Sequence, residues 1–199
     1  MAHRPSPKWF GRSKDKTPVA LPGPAPVPHT MLALVPQPEL GVAIHDVLRA
    51  AGLHYTVPIQ ITLAQGLDAR LEDDWRVVVE SVTRRHAPFR VRMRGPEIIA
   101  DRTVVLRVVD QTTMMLRDDL NRALRASGYL SDQPLSDDIL LAIAGTWTDL
   151  NKVQVHELAA SLRDVLDNPV EFAATAVYTF EETADDDLPR GEFMLDGAR

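Results

Sequence analysis

The chain has 199 residues, 45% of them hydrophobic, with no cysteine and 22 Lys and Arg against 28 Asp and Glu, a formal net charge of −6. That length allows one domain with appendages, and the apolar fraction is ample for a core; the missing cysteines exclude a disulfide scaffold and any thiolate metal site. The longest apolar runs, such as Ile139-Leu140-Leu141-Ala142-Ile143-Ala144, are too short to span a bilayer, and no charged leader precedes an apolar segment, so the sequence reads as soluble and cytoplasmic.

Residues 1–29 hold five bases (Arg4, Lys8, Arg12, Lys14, Lys16) and one acid (Asp15), a net of +4; the remaining 170 residues carry 17 bases and 27 acids, a net of −10. An acidic body is a poor grip for long DNA, whose backbone demands a basic surface. Seven of the fifteen prolines lie in the first 29 residues, and five of them between Pro18 and Pro28. Each removes an N–H and fixes φ, so neither helix nor central strand is expected there but an extended polyproline-type tether. Within the basic stretch, Trp9 and Phe10 form an apolar anchor, which makes 1–29 a candidate docking arm for a protein partner or a second copy.

The pattern changes at Thr30. Residues 31–36 read as a buried strand stopped by Pro36, and 38–51 as a helix closed by Gly52. Residues 54–64 alternate apolar side chains as a strand does. A helix over 72–86 opens with Glu72, Asp73 and Asp74 and ends with Arg84 and Arg85, as the helix dipole prefers. Strands at 89–94 and 103–109 follow, joined by a turn containing Gly95-Pro96. Then come a helix at 111–127, a strand at 138–144, a helix at 152–166 and one long strand at 170–181. Residues 183–199, with Asp185-Asp186-Asp187, read as an acidic, solvated tail in which 192–195 could form a short strand. The order β-α-β-α-β-β-α-β-α-β predicts an α+β domain over 30–182, built of two β-α-β-type halves with central antiparallel sheets and outer helices.

The strand Met31-Leu32-Ala33-Leu34-Val35-Pro36, the segment Gln60-Ile61-Thr62-Leu63-Ala64 with its following helix, and Asp138-Ile139-Leu140-Leu141-Ala142, 78 residues after Gln60, resemble the 2H phosphoesterase superfamily, the 2′-5′ RNA ligase and cyclic phosphodiesterase-like proteins. The resemblance covers 30–182 and implies a two-lobed domain. It also implies two His-x-Thr/Ser motifs on neighbouring strands, one His as general base, the other as general acid, with the hydroxyls holding a phosphate. Here the first motif position reads Gln60-Ile61-Thr62 and the second Asp138-Ile139-Leu140. Gln60 cannot exchange a proton, Leu140 offers no hydroxyl, and the Asp138 charge repels phosphate, so the chain reads as a degenerate member. His54-Tyr55-Thr56 is a literal His-x-Thr six residues upstream, and His54 with Asp138 is the alternative acid/base pair.

Among the other candidates, Arg90, Arg92 and Arg94 share one strand face and, with Thr62, form a prospective phosphate strip if that face lines the cleft. His156-Glu157-Leu158-Ala159-Ala160 lacks the second His of a zinc-protease helix, His86 reads as a helix C-terminal cation, and Asp132, Asp137 and Asp138 match no metal loop. No metal and no cofactor is expected. Three readings follow: a non-catalytic assembly module acting through its arm, a nucleotide or RNA-end binding module, or a 2′,3′-cyclic or 2′-5′ phosphodiesterase using His54 and Asp138. Similar domains occur among tailed-phage and actinobacterial proteins, so the assembly reading includes a phage-related, virion-associated role.

Overall fold

A computed structural model describes residues 28–53, 59–132, 136–145, 148–182 and 187–197. Trp9, Phe10 and His54 lie outside the described residues. The strand β1 (His29–Leu34) and helix α1 (Pro38–Ala50) lead to β2 (Ile61–Asp68) and α2 (Glu72–Thr83). A hairpin of β3 (Phe89–Ile99) and β4 (Thr103–Val108) precedes α3 (Gln111–Ala126), β5 (Leu140–Ala144) and α4 (Lys152–Val165). Three strands close the chain: β6 (Val170–Ala174), β7 (Ala176–Glu182) and β8 (Asp187–Met194).

The strands form two antiparallel four-stranded sheets, ordered β2-β1-β7-β8 and β5-β4-β3-β6. The expected strand at 170–181 is interrupted at Thr175: β6 pairs with β3 in the second sheet and β7 with β1 in the first, so one extended segment stitches the two lobes together. Helix α4 packs on β3 and β4, α3 on β2, and α2 on α3 and β8. Each helix buries one apolar stripe, such as Ile44, Val47 and Leu48 of α1 or Val155, Leu158, Ala159 and Leu162 of α4. Trp75 is fully buried and donates its indole N–H to the Asp68 carbonyl at 3.1 Å, which satisfies its one polar atom.

Three boundaries differ from expectation. Residues 54–58 of the strand expected over 54–64 lie outside the described residues; the described part is strand from Ile61 and continues to Asp68. The Gly95-Pro96 pair lies inside β3 at a register shift between Arg94 and Glu97, and the chain reverses at Ala100 and Asp101, whose φ values are 50° and 57°. Residues 187–194, expected in a solvated tail, form β8 along β7. The reason is hydrophobic: Phe193 and Leu195 are buried in the core, with the Arg76 guanidinium 4.9 Å from the Phe193 ring centre. The acidic run hid this short amphipathic end, and the domain extends past 182.

Candidate functional site

The edge strands β2 and β5 meet where the two sheets approach, and this juxtaposition builds the site. Thr62 is opposite Ala33 of β1, so its side chain shares a sheet face with Ala33 and Met31. On that face Gln60 Nε2 donates to Met31 Sδ at 3.1 Å, and the Thr62 hydroxyl points to the same sulfur at 3.9 Å. Thioether sulfur is a weak acceptor, so these contacts orient rather than bind strongly. Met31, Ala33 and Phe180 form a small buried apolar cluster, with Val35 and Tyr178 packed against it. Burial and the neighbouring Glu192 carboxylate push the Tyr178 phenol up from its usual range.

Asp138 lies just before β5, and Leu140 is opposite Arg107 of β4. Arg107 binds the Asp138 carboxylate through Nη1 and, through Nε and Nη2, Glu97 Oε2 at 3.0 and 2.9 Å. One guanidinium thus holds two carboxylates. The hydrogen bond from Arg107 holds the Asp138 carboxyl below the ordinary carboxylate range, against a smaller opposing effect of partial burial. The Arg107 guanidinium is correspondingly pushed up, by Glu97 first and Asp138 second. Asp138 is therefore an anion near neutral pH, with its charge answered within the protein.

Thr62, Asp138 and Leu140 line one groove of about 400 Å³ together with Arg117, Asn121 and Arg125 of α3. Asn121 fixes α3 to the β2 edge by donating to the Leu63 carbonyl at 2.7 Å. Arg117 donates to the Ser136 carbonyl at 2.7 Å and pairs with Asp118 at 3.0 Å, holding the segment before Asp138. Arg90, Arg92 and Arg94 alternate with buried Val91 and Met93, as expected, but none of them lines this groove. Arg90 and Arg92 converge on Glu171 at 3.5 and 2.7 Å. Arg92 and Arg94 border a separate hollow of about 630 Å³ with Asp110 and Pro169. His86, in the turn after α2, bonds Asp119 of α3 at 3.1 Å, tying that turn to α3, a role beyond the helix-end cation expected from sequence. Among the described residues no group of three or more His, Asp or Glu is placed to hold a metal ion, and no helix is long and apolar enough to cross a membrane.

Of the residues that line or brace this groove, the sequence singled out Thr62 and Asp138 but not Arg107, Glu97, Arg117, Asn121 or Arg125. Alternation along β4 could have placed Arg107 on the face away from the core. Its partners depend on the β4–β5 register, which no local pattern reveals.

Two antiparallel sheets, outer helices and a groove where the edge strands β2 and β5 meet define a two-lobed α+β fold. The chain is similar in structure to TT0787 of Thermus thermophilus, at 17% identity and a TM-score of 0.58, over 86% of this chain and 100% of that one. It is similar to E. coli LigT complexed with NADP+, at 16% identity and a TM-score of 0.56 over 85% and 99% of the two chains. A third similar structure is a phosphoesterase, at 16% identity and a TM-score of 0.54 over 86% and 99%. No family model and no curated protein matches the chain. At these identities the likeness is one of fold.

Proposed function

We infer that the chain uses this fold without phosphodiester chemistry, as an assembly module recruited through its basic N-terminal arm. The observation that carries the reading is the Arg107 clamp. General acid–base catalysis needs groups that titrate near the working pH. At the two positions where the resemblance puts histidines stand Gln60, which does not titrate, and Asp138, whose carboxyl is held below its ordinary range by Arg107. The cation nearest Asp138 is shared between two carboxylates, which leaves it little charge for a phosphate. The apolar cluster around Met31 adds to this, because it gives the Gln60 and Thr62 side chains a thioether to face. The phosphodiesterase alternative needs Asp138 to carry a proton beside His54, and the clamp disfavours the protonated form.

The arm supplies what an assembly subunit needs: net positive charge, an aromatic pair and a proline-rich spacer, set against an acidic body. A phage-related role is one setting for such a module. Replacing both Trp9 and Phe10 by Ala in the full chain tests the reading. Loss of self- or partner association with an unchanged melting temperature is expected; association that survives the double substitution contradicts it.

A second reading has its own observation. Arg117 and Arg125 line the groove that holds Thr62 and Asp138, which suits a nucleotide or RNA end. E. coli LigT has been crystallised with 3′-AMP, and that nucleotide is the natural probe. Calorimetric titration with 3′-AMP giving binding that Thr62→Val and Arg117→Met both weaken supports this reading; no heat at millimolar 3′-AMP removes it.

A further inference from the structure

A hollow of about 930 Å³ lies away from the β2–β5 groove, between α1 and α4. Its floor is apolar: Val47 and Leu158 are buried there, while Val42 and Val165 are 57% and 55% exposed. Together they give the groove an apolar lining open to water, which an apolar anchor of matching size would bury. The rim is acidic, formed by Glu39, Asp46 and Glu157, and no Lys or Arg is among its described lining residues. Asp46 is engaged by Arg49 at 3.0 Å, whereas Glu39 and Glu157 form no ion pair among the described residues.

An apolar floor with an acidic rim fits a segment that is basic and carries a large apolar anchor. Within this chain one stretch has that composition: Lys8, Trp9, Phe10, Arg12, Lys14 and Lys16. We propose that the α1–α4 groove receives the Trp9-Phe10 segment of a neighbouring copy's arm, so that copies join head to tail. The inference rests on the assembly reading above and names its partner. Face-to-face pairing of two such grooves is disfavoured, because it sets Glu39 and Glu157 against their own copies.

The spacer and the exit point favour exchange between copies over folding back. Residues 17–28 contain five prolines, and in polyproline geometry twelve residues span roughly 37 Å. That is comparable with the width of the body, about 39 Å for a compact sphere with the radius of gyration of about 15 Å expected for a domain of this length, so the anchor reaches a neighbouring copy. The arm joins the body at β1, whose first residue pairs with Asp68 and Glu182 in the first sheet, whereas α4 packs on β3 and β4 of the second. A head-to-tail contact of this kind is heterologous, and it grows into open chains or closes into rings.

The test is sedimentation velocity of the full chain over a wide concentration range, with two variants that each keep one half of the contact. Trp9→Ala/Phe10→Ala removes the anchor, and Val42→Glu/Val165→Glu spoils the groove at exposed positions that folding tolerates. The proposal predicts concentration-dependent species for the natural chain, a weakening of about thirty-fold or more in either variant alone, and recovery of a single 1:1 dimer when the two are mixed. Association lost in the arm variant but intact in the groove variant overturns the groove as receptor and leaves the assembly reading standing. Association intact in both overturns the proposal and the reading together. A natural chain that stays monomeric at every concentration overturns the exchange between copies.

Discussion

Arg107 decides the electrostatics of the site. A carboxyl whose pKa falls on folding contributes stability that is complete above its unfolded value, near 3.9, and is lost as pH drops through the folded value. Asp138 follows that sign, and the cause is one residue. In Arg107→Met, the Asp138 titration followed by carboxyl NMR is expected to rise into or above the ordinary carboxylate range, since Glu97 then adds repulsion instead of sharing a cation. An unchanged titration contradicts the clamp. Asp68 offers a second case. Hydrogen bonds from the side chain and backbone N–H of Arg70 lower its carboxyl to about 2. Urea unfolding between pH 2 and 6 should show Asp68→Asn less stable than the natural chain above about pH 4, with the gap closing as pH falls toward 2. A gap of constant size at all pH would assign the loss to something other than the carboxylate charge. Thr62 and Asp138 were legible as residues because strand spacing brought them into view. Arg107 was not, because its meaning lies in partners 10 and 31 positions away along the chain.

Individual elements were legible where local chemistry is strong. The Asn151 side chain accepts from the Gln154 N–H while the Gln154 side chain accepts from the Asn151 N–H, and α4 begins at the expected residue. Asn151→Ala should cost about 1 kcal/mol in chemical denaturation, and a neutral result would mean that packing alone fixes that terminus. Elements were misread where tertiary context overrides composition. Gly95 looked like a turn residue but serves β3, with φ at 130° and space so tight that a Cβ would stand 2.9 Å from the Val105 carbonyl oxygen and 3.0 Å from the Glu97 nitrogen. Both are backbone atoms, which cannot swing aside. Gly95→Ala should therefore destabilise by about 2 kcal/mol or more, whereas Gly41→Ala, at an open position inside α1, should stabilise by about 0.5–1 kcal/mol. The single strand expected at 170–181 became β6 and β7 because alternation continues unbroken across Thr175 while the pairing partner changes from β3 to β1. Periodicity reports which face is buried, not which sheet buries it.

For the whole molecule, the order of strands and helices was enough to predict two lobes, and the sheet orders agree with that architecture. Function was less legible, since the same scaffold can hold a working site or a silent one. On the function proposed above, Gln60 and the Arg107-clamped Asp138 leave the groove without a proton-transfer pair. The measurement that tests it most directly is hydrolysis of a 2′,3′-cyclic nucleotide and a 2′-5′ dinucleotide by the purified full chain at high protein concentration, with His54→Ala alongside. No turnover above the uncatalysed rate is expected in either protein. Turnover by the natural chain that disappears in His54→Ala would contradict it and make His54 and Asp138 a working pair.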